Sequence, residues 1–163
     1  MTLGFKYLFL LLSASLFATP AQVIIIPTGE VNEPGNLTSV GFERAGALPE
    51  YITLTQNFTS YGVPTVIFAA RPTSLPSDNT QACIQTVNPT AQTLGLPIHS
   101  GYSKQQNASI ASFILNNPSY NGKNVLICWR PDSIQALATA FGVASPPTFP
   151  STLFNETWVI TFS

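Results

Sequence analysis

Four stretches of the chain are apolar at nearly every position or at every second one. Residues 22–26 (QVIII), 64–70 (PTVIFAA) and 123–129 (KNVLICW) are near-continuous runs, and 157–163 (TWVITFS) alternates. Runs of this length predict strands covered on both faces, as in a parallel sheet. Between them the spacing becomes helical. A helix is predicted over 37–52, with Thr38 as N-cap and Pro49 as a break or the first turn of a second helix. Another is predicted over 79–95, kinked at Pro89 and stopped by Gly95. The segments 104–118 and 132–142 follow, the latter with Ile134, Leu137 and Phe141 on one stripe and Gly142 as terminator. Strand and helix alternate, which argues for a mainly parallel sheet with helices on both faces. Residues 73–79 (TSLPSDN) and 144–152 (ASPPTFPST) are loops.

The length of 163 residues suits one such domain with a sizeable core. Charged residues make up only 8% of the chain and apolar ones 45%, so charge-driven disorder is excluded. The net charge of −1 offers no basic field for nucleic acid or anionic lipid. Part of the hydrophobicity belongs to the first segment. Lys6, the apolar stretch from Tyr7 to Ala18 and the small-residue exit ATPA predict a secretory signal peptide over 1–21, leaving a domain over 22–163. The stretch is short for a membrane span, so no membrane association is expected after cleavage. Four sequons, at Asn36, Asn57, Asn107 and Asn155, are free of the excluding proline and agree with export as an extracellular glycoprotein.

Two cysteines are present, Cys83 and Cys128. In an oxidising compartment they form a candidate disulfide, whereas Cys128 within VLICW also reads as a buried free thiol. There is no Cys-x-x-Cys and no Cys/His cluster, so no metal site or cofactor is expected. In a parallel sheet, chemistry gathers at the carboxyl ends of the strands. That directs attention to Pro27–Glu30, Ala70–Pro72 and Trp129–Asp132.

VIIIPTGE, LTSVGFERAGAL, TVNPTAQTLGLPI and NVLICWRPDSIQALATAFGV occur in the order of the histidine phosphatase (phosphoglycerate mutase-like) superfamily, and the chain resembles a short secreted branch of it found in fungi and bacteria. The resemblance implies a three-layer α/β/α sandwich over nearly the whole mature chain. It also implies a chemistry: a histidine after the first strand takes the phosphoryl group, while two arginines and a second histidine clamp its oxygens and a carboxylate protonates the leaving group. Here the matching positions are Pro27 for the first arginine, Thr28 for the nucleophile, Ala82 for the second arginine and Pro131 for the second histidine. Only Gly29 and Glu30 of the first motif remain. The expectation is a pseudoenzyme that acts by binding a ligand or partner; the alternative is a hydrolase of phosphate esters using Thr28 with Glu30.

Arg71 and Arg130, near the strand ends, are the candidates for a weak anion or phosphate site; the plainer reading pairs them with Glu30 or Asp132. Arg44 is read as a helix-surface residue. The lone His99 is read as a surface or edge-strand residue. By the same resemblance a Cys83–Cys128 disulfide would lie across the former phosphate site.

Overall fold

The computed structural model describes residues 7–12, 19–32 and 35–162. The β-branched run that follows Ala21 forms strand β2 (Gln22–Pro27), buried at every position. Strand β5 (Asn124–Trp129) lies parallel to it with Ile24 opposite Leu126 and Ile26 opposite Cys128, and is also buried throughout. Strand β3 (Val66–Ala69) pairs parallel on the far side of β5, and the two-residue β4 (Ile98–His99) pairs parallel with β3. On the other side of β2, strand β6 (Thr157–Phe162) runs antiparallel. Strand β1 (Tyr7–Leu12) pairs parallel with β6, completing the order β1-β6-β2-β5-β3-β4. The sheet is thus parallel among four strands and mixed at the β6 edge. Most of the predicted leader falls outside the described residues, and its Tyr7–Leu12 part forms β1.

Helices α1 (Ser39–Leu54), α2 (Gln56–Thr59), α3 (Ala82–Leu94), α4 (Asn107–Leu115) and α5 (Ile134–Ala140) fill the connections. Side-chain parity assigns the layers. Phe68 stacks edge-on against Phe113 of α4, so the row Phe68–Ile127–Ile25 faces the α4–α5 layer. The alternate row Ala69–Cys128–Ile26 faces α1 and α3, which pack on each other. Both rows are almost fully buried. Each Val or Ile so enclosed contributes about 1.5–3 kcal/mol. Continuous apolar runs are what such a two-sided sheet requires.

Helices α3, α4 and α5 are shorter at their ends than the predicted stretches, and two departures from the expectation have a visible cause. Pro49 does not break α1, which continues through it to Leu54. Ile52, beyond the proline, is fully buried, and Thr53 Oγ1 donates to the Pro49 carbonyl at 2.8 Å. Burial of the last turn outweighs the missing amide bond. Helix α4 starts at Asn107 rather than 104, because a turn precedes it: Gln106 N–H donates to Ser103 O at 2.9 Å while its side-chain Oε1 accepts from Ser103 N–H at 3.0 Å. Gly95 ends α3 in the left-handed region (φ 65°), as its position predicts.

Candidate functional site

From the carboxyl end of β2 the chain reaches the N-terminus of α1 at Ser39 through a loop in which Val31 bridges to Leu37. Thr38 caps that helix, its Oγ1 accepting from Gly41 N–H at 3.1 Å, and its own N–H donates to Glu30 O at 2.8 Å. Glycine is needed on both sides of this approach. A Cβ on Gly29 would stand 3.0 Å from Gly41 O, and one on Gly41 would run into Glu30 O. The turn is fixed from the second side by α3: Gly29 N–H donates to Thr86 Oγ1 at 3.0 Å, and Thr86 Oγ1 donates to Ala82 O at 2.7 Å. Thr28, at the nucleophile position, is 2% exposed.

Glu30, Asp78 and Asp132 at this edge are each paired with a cation of the same chain. Arg44 grips Glu30 with two parallel bonds, Nε to Oε2 at 3.1 Å and Nη2 to Oε1 at 2.5 Å. The arginine's hydrogen bond holds the Glu30 carboxyl below its ordinary value, and burial opposes this only in part. Arg44 is therefore more than a helix-surface residue: it is the partner of Glu30. Lys104 stands 2.6 Å from Asp78 Oδ1 and 2.6 Å from Asp132 Oδ2. Gln105 Nε2 donates to the other oxygen of Asp78. Burial alone would raise the Asp78 carboxyl, but hydrogen bonds from Lys104 and Gln105, with the charges of Lys104 and Arg130, hold it low. Burial likewise works against the Lys104 ammonium, and the two aspartates outweigh it.

The partners expected for Arg71 and Arg130 are thus taken by other cations: Glu30 by Arg44, Asp132 by Lys104. Arg71 is exposed, and its Nε donates to Gly101 O at 3.2 Å. Arg130 Nε is buried without a hydrogen-bond partner among the described residues, while its charge acts on Asp78 and Cys128. Lys104 and Asp78 were not singled out from the sequence. They sit in loops before α4 and α3 with no spacing that ties them together, and only the fold does so.

A free helix N-terminus is a natural anion site, but that of α3 is covered. Thr80 Oγ1 accepts from Ala82 N–H at 3.0 Å and donates to Gly35 O. The loop carrying Gly35 is pinned to α3 by Leu37 N–H to Gln85 Oε1 at 3.0 Å and Gln85 Nε2 to Asn36 Oδ1 at 3.2 Å. Ala82, at the position of the second arginine, is fully buried.

Cys83 and Cys128 are both buried, and both are free thiols here. Burial first, then a hydrogen bond with Cys83, pushes the Cys128 thiol well up. Cys83, in the first turn of α3, and Cys128, on β5, both lie on the α3 side of the sheet. Cys128 Sγ also donates to Pro27 O at 3.5 Å.

On the opposite face, fully buried Trp129 donates from Nε1 to Asn107 Oδ1 at 2.8 Å. Asn107 Nδ2 donates to Ser133 Oγ at 2.9 Å, and Ser133 Oγ donates to Lys104 O at 2.7 Å. Pro131 opens the short 3₁₀ turn that carries Ser133. Of the four sequons, Asn36 is exposed and Asn57 and Asn155 are half-buried. Asn107 spends its amide on the Trp129–Ser133 network, so a glycan there would break internal bonds. His99 lies exposed on edge strand β4, its ring 5.2 Å from that of Phe68. No group of three or more His, Cys, Asp or Glu able to hold a metal ion occurs among the described residues. No helix among them is long and apolar enough to cross a membrane.

The sheet order, with helices on both faces, defines an α/β fold. The chain superposes on a mycobacterial glucosyl-3-phosphoglycerate phosphatase with TM-score 0.54 and 11% identity, over 78% of this chain and 81% of that one. A protein from Agrobacterium tumefaciens assigned as the phosphohistidine phosphatase SixA aligns over 79% and 88% with TM-score 0.46 and 14% identity. No family model and no curated protein matches the sequence. The fold is that of the histidine phosphatases, phosphoglycerate mutase-like.

Proposed function

We propose that this chain is an exported, non-catalytic protein of the histidine phosphatase fold whose function is binding. The observation that carries this reading is the state of the carboxyl edge. Arg44 and Lys104 are neutralised by carboxylates of the same chain, Arg71 bonds the Gly101 carbonyl, Arg130 has no ion pair among the described residues, and the first amide of α3 is taken by Thr80. Phosphoryl transfer needs a nucleophile and preorganised positive charge aimed at the transferring group. One missing donor costs about 3–4 kcal/mol of barrier. Here a proline, a buried threonine, an alanine and a proline occupy the four positions that resemble the family's catalytic set. A threonine hydroxyl without an adjacent base is a weak nucleophile. Glu30 cannot readily serve as that base, because Arg44 holds it in the opposite role of counter-ion.

Export rests on the leader-like segment 1–21 and on the sequons, of which Asn36, Asn57 and Asn155 are the proposed acceptors. Removal of the leader would take β1 away and leave β6 as the sheet edge. The test is turnover of p-nitrophenyl phosphate by the secreted protein. A rate equal to that of buffer is expected. Turnover that disappears in Thr28→Ala would overturn the reading.

A further inference from the structure

Helix α1 carries a stripe at helical spacing, Val40, Arg44, Ala47, Leu48 and Tyr51, that lines a hollow. The floor is made by Ile26 and Pro27 at the end of β2, Thr86 of α3 and Thr157 of β6, all buried. Phe154, in the loop that enters β6, forms the far wall with Leu48 and Tyr51. Val40 and Ala47 are exposed and stand at the rim. The hollow lies on the α1 side of β2. It takes in Pro27, at the position of the first arginine, and excludes Thr28, Ala82 and Pro131, so it adjoins the family's phosphate positions on the α1 side and overlaps them only at Pro27.

We propose that this hollow is a binding site for one small, neutral, largely apolar molecule of about bicyclic-aromatic size. Three observations set that chemistry. The volume is about 300 Å³. An apolar cavity of about 150 Å³ already stays dry and accepts benzene, so the space suits a molecule about twice that size. The walls and floor are mostly aliphatic and aromatic, and an unfilled apolar wall forgoes the dispersion contacts a ligand would supply. The charge is unsuited to an anion: the lining cation, Arg44, is held by Glu30, and Glu43 adds a carboxylate at the same wall. Among the polar lining groups, Thr86 Oγ1 is satisfied internally by Gly29 and Ala82, while Asn155, beside Phe154, sets a polar amide at the wall. The ligand is therefore held mainly by shape and apolar contact.

This inference rests on the binding reading above and gives it a ligand class, and the experiment keeps the two separate. The full chain is titrated with N-phenyl-1-naphthylamine, a neutral fluorescent probe. Blue-shifted emission saturating at one probe per chain is expected. Ala47→Trp and Val40→Trp, both at exposed rim positions, place an indole in the mouth. Each is expected to weaken the probe at least tenfold with an unchanged far-ultraviolet circular dichroism spectrum. No saturable emission in the parent, or unchanged affinity in whichever of these variants folds, would overturn the site. Incubating the same preparations with 1-naphthyl phosphate reads the other question. Release of 1-naphthol would overturn the non-catalytic reading and leave the probe result standing.

Discussion

Gly41→Ala and Gly46→Ala make the same chemical change five residues apart on α1 and should act in opposite directions. At Gly41 a methyl group would collide with the Glu30 carbonyl and approach Glu30 N at 3.1 Å and Leu37 Cβ at 3.2 Å. The first two are backbone atoms of the turn that β2, Thr38 and Thr86 hold in place, so they cannot swing aside. Overpacking of this kind costs about 1–3 kcal/mol, and a rigid neighbour puts the cost at about 2–3 kcal/mol. For a domain of this size that lowers the thermal midpoint by about 4–12 °C. At Gly46 the added methyl meets nothing within 4 Å. Relief of glycine's backbone entropy there should add about 0.5–1 kcal/mol, raising the midpoint by about 1–4 °C. Thermal melts and urea titrations of both variants, with the parent alongside, measure the two signs. A Gly41→Ala protein as stable as Gly46→Ala would refute the close approach of α1 to the β2 turn, and with it the placement of Thr28 to Glu30.

Arg44→Met should cost no more than about 1 kcal/mol at neutral pH, since the pair is partly exposed. Because Glu30 is held low in the fold, its contribution is fully present above roughly pH 5 and is lost as pH falls through the lowered value; the stability gap between parent and variant in urea melts should therefore narrow as pH falls below the ordinary glutamate value. Asn107→Ala leaves Trp129 Nε1 without its acceptor and removes a donor to Ser133. A loss of about 2–3 kcal/mol in urea unfolding is expected, and a loss under 0.5 kcal/mol would contradict the network. A thiol reagent should find no reactive cysteine in the folded chain and both in denaturant, since both are buried free thiols. Silence in denaturant as well would mean they are joined, a bridge worth about 4 kcal/mol in the chain-entropy model.

The strands were legible because two-sided burial demands continuous apolar runs, and 22–26 and 123–129 supply them. Strand β4 was not, since two residues carry no period, and Ile98 and His99 pair with β3 only through the fold. The exit at Gly95 was legible from one residue. The passage of α1 through Pro49 was not, because it depends on where Ile52 is buried. For the site, the resemblance directed attention to Pro27, Thr28, Ala82 and Pro131, and these fall at strand ends and helix starts along one edge of the sheet. Charge pairing was beyond sequence reasoning. Arg44 lies 14 residues from Glu30, and Lys104 lies 26 from Asp78 and 28 from Asp132, distances at which only tertiary structure chooses partners.

The central claim is that this edge of the sheet no longer holds a transferring phosphoryl group. Vanadate, which adopts the five-coordinate geometry of that group, tests it most directly by calorimetric titration of the native protein. No saturable heat up to millimolar vanadate is the predicted result. One-site binding that is lost on Arg130→Ala would contradict it.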